Sequence, residues 1–259
     1  MCTVTVVSPR MPRAGAAPLL RIVCNRDERR TRPEAMPPHV FVVGDRRAVM
    51  PIDPESGGTW IGVNDAGLAL CLLNATLHPG SQAPDGKDPK RSRGEIVPGL
   101  LGSGDMDSAV AGLAQLDPAS YPPFRLLIAE IGRSVVLASN GSRLGVQLHA
   151  WGRRPLMLTS SGLGDHIVET PRRDAFHEFF DDSGEWLLAQ DRFHNHTWPG
   201  RAHLGVLMSR PDARTVSRTT IEFRPGAVSM TYAALDESSL QALPSAHVVL
   251  PLTGIEVGQ

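Results

Sequence analysis

The chain opens MCTVTVVSPR, and Cys2 is the residue whose position could make it reactive. Loss of Met1 would leave a single residue carrying both a thiol and a free α-amine. An α-amine with a pKa of about 7.7–8.0 is a base near neutrality, and a thiol of about 8.5 is readily activated by it. Removal of Met1 is expected, because the processing aminopeptidase accepts small second residues such as cysteine. The plain alternative is a small apolar side chain opening an edge strand.

Other candidates lie downstream. In CNRDERRTRP, Asn25, Arg26, Asp27 and Glu28 follow a strand-like run, and a strand end holds functional groups on a rigid support. Taken alone, the segment also reads as a charged turn. The glycines of SGGTWIG read as turn and close-packing residues without phosphate-loop spacing, and Trp60 reads as core or as a substrate wall. His194 and His196 in FHNHTW, with His203 beyond, lack a carboxylate or cysteine cluster at ligand spacing, so no metal is expected.

The elements that must position these groups are mostly strands. TVTVV and LLRIVCN are strand-like. GGTWIGV, a turn at NDAG and LALCLLN predict a hairpin from Thr59 to Asn74, whose second arm is apolar at nearly every position and so is covered on both faces. Residues 78–94 read as an exposed polar loop. Ser92 and Glu95 have capping-box spacing ahead of a helix bent by Pro98, and a second helix is predicted from Asp105 with Val110, Leu113 and Leu116 inward. FRLLIAEI, SVVLAS, LGVQLHAW and LMLTSS resume the strands. TPRRDAFHEFF predicts a helix with Thr170 as N-cap, Pro171 first and Phe176, Phe179 and Phe180 on its core stripe. A last hairpin, RTVSRTTIEF to AVSMTYAAL, turns at RPG. Strands around a helical middle predict an α+β fold of stacked sheets between helical layers.

With 259 residues and 41% hydrophobic content, the chain can bury a full core, and one domain over 1–259 is expected. No apolar run reaches membrane-spanning length and no secretory pattern is evident, so a cytoplasmic protein is expected. Three cysteines do not make a disulfide framework. A net charge of −1 argues against a dedicated nucleic-acid binder. Only Lys87 and Lys90 are lysines among 26 basic residues, a codon bias that lowers the weight of arginine pairs.

NRDE (Asn25–Glu28), then Arg32-Pro33 and GGTWIGVNDAGLALCLLN, resembles the NRDE family, also called the transport and Golgi organisation protein 2 family. The resemblance is strong over residues 1–75; beyond them SRG (Ser92–Gly94), LTSSGL (Leu158–Leu163) and SRTT (Ser217–Thr220) follow in order. It implies a four-layer αββα sandwich of the N-terminal nucleophile hydrolases, near the bile-salt hydrolase and penicillin V acylase branch. The implied catalytic set is Cys2 as nucleophile, Asp27 orienting the new α-amine, Asn74 as oxyanion donor and Arg218 near the thiol or holding Asp27, all in one pocket. Asn25, Arg26, Trp60 and Ser160 are the implied substrate-binding residues. Cys24 stands where the acylases carry an arginine, and Ser160 where they carry a second asparagine.

The implied activity is an amidohydrolase or acyltransferase acting through a thioester on a small linear amide or acyl donor, without cofactor. Some relatives are associated with haem or lipid handling, so the resemblance also leaves open a binding or trafficking protein on the same fold.

Overall fold

The computed structural model describes residues 2–9, 17–76, 91–151, 154–180 and 184–253. Most of the predicted loop 78–94 lies outside them.

Among the described residues thirteen strands form two antiparallel sheets. The first has the order β10 (Leu156–Thr159), β1 (Cys2–Val7), β2 (Leu20–Arg29), β11 (Ala213–Arg224), β12 (Ala227–Ala234) and β13 (Ala246–Pro251). The second runs in sequence order: β3 (Met36–Val43), β4 (Arg46–Ile52), β5 (Ile61–Asn64), β6 (Ala69–Asn74), β7 (Phe124–Glu130), β8 (Arg133–Ser139) and β9 (Leu144–Trp151). The sheets face one another across a core that includes Val4, Ile22, Cys24, Ile61, Cys71, Leu127 and Phe223. Helices α1 (Ile96–Leu100) and α2 (Met106–Ala114) cover the second sheet. Helices α3 (Asp165–Phe179) and α4 (Trp186–His194) cover the first, joined by a smaller cluster around Phe176, Phe193 and Val206. The layer order is therefore αββα. The second arm of the predicted hairpin, β6, is buried on both faces as its composition requires: Leu70 and Leu72 face the helices, Cys71 and Leu73 the other sheet.

Two helix starts differ from the sequence reading. Ser92 caps a 3-10 turn, Arg93–Glu95, by accepting from Gly94 N, whereas the Glu95 carboxylate accepts from the Tyr121 hydroxyl instead of closing a capping box. Helix α3 begins at Asp165, ahead of the expected Thr170, and Pro171 lies inside it. The earlier start is anchored by the Asp165 carboxylate, which accepts from Ser161 N and Thr76 N and pairs with Arg125 at 2.6 Å. Asp105 caps α2 as predicted, with Leu113 buried and Val110 and Leu116 partly buried against the same core.

Strand alternation sets which residues meet. On β1, Cys2, Val4 and Val6 face the other sheet, while Thr3 and Thr5 face the helices. Register pairs Cys2 with Arg26, Val4 with Cys24 and Thr3 with Asn25. Hence Cys24 and Arg26 share the inter-sheet face with Cys2, and Asn25 and Asp27 take the helix face. A bulge in β11 between Thr215 and Ser217 shifts the register there, so that Thr215 lies opposite Asp27 and Ser217 opposite Arg26.

Candidate active site

Where the N-terminal end of β1 meets the second sheet, a cavity of about 290 Å³ opens between the layers. Cys2, Arg26, Trp60 and Asn74 line it, together with Thr59, Leu72, Asp53 and the segment Arg91–Gly94. Four of the eight expected site residues thus share one pocket. It lies at the small end of ligand-site volumes, roughly 300–1,000 Å³.

Cys2 is held by its backbone. Its nitrogen donates to Ser160 Oγ at 3.1 Å, and its carbonyl accepts from Ser160 N at 2.9 Å. Ser160 follows β10, which pairs with β1, so the residue at the second-asparagine position touches the backbone of Cys2. The Cys2 thiol is pushed well above its ordinary pKa, first by a hydrogen bond with the Cys24 thiol and then by burial. Such a thiol needs a base to become a nucleophile.

Asn74 ends β6 at the mouth of the pocket, and no hydrogen bond engages its side-chain amide among the described residues. Arg26, directly opposite Cys2, lies over the Trp60 ring at 4.1 Å and is paired with Asp53. An arginine two residues after Cys24 therefore reaches the pocket. Arg32 also pairs with Asp53, at 2.8 Å. Burial raises the Asp53 carboxyl, but the Arg32 hydrogen bond and the charges of both arginines outweigh it and leave the group below its ordinary range. Trp60 belongs to both core and pocket wall, and its Nε1–H has no partner among the described residues.

Asp27, Asn25 and Arg218 lie on the helix-facing side of the first sheet. Asp27 accepts from Thr215 Oγ1 at 2.7 Å and lies 3.8 Å from Arg172, an arginine of α3 that no local sequence signal marks. Burial raises the Asp27 carboxyl, and Arg172 and Thr215 only partly offset it. Its charge still acts on Cys2, adding to the rise of the thiol. Asn25 is fully buried: its amide donates to the carbonyls of His194 and Val206, and its oxygen accepts from Arg218 Nε at 3.0 Å. Arg218 also donates to the His194 carbonyl at 2.6 Å, and burial pushes its pKa down to about 10. Of the four residues expected to converge, Cys2 and Asn74 line the pocket. Asp27 and Arg218 occupy the helix face, and Arg172 is the cation beside Asp27.

The glycines act as anticipated. Gly57 has φ +66°, and Gly58 packs so closely on Gly94 that a Cβ would sit 2.5 Å from its carbonyl carbon. Thr59 N donates to Gly94 O at 2.9 Å, which ties SGGTW to SRG along the pocket rim. Among the described residues no helix is long and apolar enough to cross a membrane.

The fold has solved counterparts. A mutant of conjugated bile acid hydrolase from Clostridium perfringens superposes with a TM-score of 0.51 at 12% identity, covering 94% of this chain and 92% of its own. An N-acylethanolamine-hydrolyzing acid amidase ortholog from Caenorhabditis elegans gives 0.51 at 15% identity, covering 85% and 92%. The chain therefore has the αββα fold of the N-terminal nucleophile hydrolases. No curated protein sequence matches it significantly. The sequence pattern of the Transport and Golgi organisation 2 family matches residues 1–181, and the chain belongs to that family.

Proposed function

We propose that the chain is a cysteine N-terminal nucleophile amidohydrolase or acyltransferase acting on a small amide or acyl donor. The observation that carries this reading is the joint placement of Cys2 and Asn74 on one small pocket, with the Cys2 nitrogen fixed by Ser160. Removal of Met1 turns that nitrogen into an α-amine on the same residue as the thiol. The amine takes the thiol proton, and the thiolate attacks the substrate carbonyl. Asn74 donates to the oxyanion of the tetrahedral intermediate. Collapse breaks the C–N bond, and the departing amine takes its proton from the α-ammonium. Water, or a second amine in acyl transfer, then attacks the thioester with the α-amine as base, which releases the acyl product and restores the thiol. Ser160 positions the α-amine throughout, and Asp27 biases it electrostatically from behind the sheet.

A haem-binding role fits the pocket less well. Its described lining carries no histidine, methionine or tyrosine, and Cys2 is its one side chain of a haem-ligating type.

The test is intact mass followed by acylation with p-nitrophenyl acetate. The mature protein should begin at Cys2 and carry one acetyl group on the peptide containing it. Met1 retained on folded protein, or acetylation independent of Cys2, would falsify the mechanism.

A further inference from the structure

Among the described residues four arginines line the Cys2 pocket, and three are matched by acids. Arg26 and Arg32 share Asp53, with Glu28 at 3.8 Å and 3.7 Å, and Arg91 pairs with Glu95. Arg93 makes no ion pair among the described residues. It donates through Nη1 to the Pro123 carbonyl at 2.7 Å, and burial, with no acid to offset it, lowers its pKa. The next residue, Gly94, packs on Gly58, and the Pro123 bond ties the guanidinium at the rim. A partly buried, unmatched cation on the same pocket as a nucleophile is a binding group for an anion.

We propose that the substrate is a small amide bearing one carboxylate, which Arg93 binds through the guanidinium donors that Pro123 does not use. This rests on the reading of Cys2 as nucleophile. The charge balance selects a monoanion: one unmatched guanidinium neutralises a carboxylate, whereas a phosphate dianion would leave surplus negative charge beside Asp53 and Glu28. The cavity volume keeps the molecule small.

The test compares two alkylating agents of the same shape, anionic iodoacetate and neutral iodoacetamide. In each case the thiolate sulfur displaces iodide. Rates at Cys2 are read by peptide mass and divided by those for N-acetylcysteine. The normalised iodoacetate-to-iodoacetamide ratio should exceed one and should fall about tenfold in Arg93→Gln, while Arg93→Lys keeps part of it. A second measurement needs no variant: hexanoate should protect Cys2 from iodoacetamide at about a tenth of the concentration that hexanamide requires. A ratio unchanged in a folded Arg93→Gln protein, or equal protection by the two hexanoyl compounds, overturns the proposal and leaves the nucleophile reading intact. Failure of both reagents to modify Cys2 removes that reading and this proposal with it.

Discussion

The Cys71 sulfur on the second sheet lies 3.8 Å from that of Cys24, which shares the inter-sheet face with Cys2 on the neighbouring strand. All three cysteines of the chain thus form one buried row that ends in the pocket. The neighbouring Cys24 thiol is the largest influence raising the Cys2 thiol, ahead of burial.

Cys24→Ala removes that influence and leaves burial in place. The Cys2 thiol should then titrate at lower pH, and its alkylation by iodoacetamide at pH 7.5 should accelerate by up to about tenfold for each unit of pKa lost. The midpoint of the rate against pH is the measurement. A midpoint that stays put would show that burial alone controls the thiol.

Asn74 separates two chemistries at the same sulfur. Alkylation by iodoacetamide generates no oxyanion, whereas acyl transfer from p-nitrophenyl acetate passes through one. Asn74→Ala should leave the first rate within about twofold of the parent and slow the second by roughly a hundredfold or more. Equal losses in both reactions would mean that Asn74 shapes the pocket and donates to no intermediate.

The rim contact predicts an effect on stability. In Gly58→Ala the new methyl would meet the Gly94 backbone at 2.5 Å, and neither the loop at Gly58 nor the 3-10 turn at Gly94 can yield without disturbing the Thr59–Gly94 hydrogen bond. The cost should be about 1–3 kcal/mol, which for a chain of this length lowers Tm by roughly 2–10 °C. Gly99→Ala, where a Cβ meets nothing within 4 Å, is the control. Similar Tm values for the two variants would remove the close contact from the account.

What the sequence made legible follows from periodicity. Alternation in TVTVV and the two-sided apolarity of LALCLLN fix β1 and β6, and those strands carry Cys2 and Asn74 to the pocket. What it hid depends on register. Nothing local says that Cys2 pairs with Arg26, so NRDE alone does not reveal that Arg26 faces the pocket while Asn25 and Asp27 face the helices. The partner of Asp27 was equally hidden. Arg172 comes from a helix 145 positions away and meets Asp27 only once α3 packs on the first sheet, whereas the late arginine suggested by resemblance, Arg218, is occupied by Asn25 and the His194 carbonyl.

His194 couples the back of this sheet to pH. Gln190 Nε2 donates to the Thr5 hydroxyl at 2.8 Å, which leaves that hydroxyl to donate to His194 Nε2, also at 2.8 Å. The imidazole is then neutral with its proton on Nδ1, which has no partner among the described residues. Burial, and after it the nearby charges of Arg218, Arg21 and Arg172, holds its pKa well below the ordinary histidine range. The unfolded chain takes up a proton near pH 6.5 that the folded chain refuses, so the contribution of this site is complete above that pH and is lost as pH falls. Stability from urea unfolding should therefore decline below about pH 6.5 with a slope approaching 1.4 kcal/mol per pH unit from this group. His194→Gln keeps an acceptor for Thr5 without a titratable ring and should flatten that slope between about pH 6.5 and 5. Parallel profiles for parent and variant would place the acid sensitivity elsewhere, in the buried carboxylates.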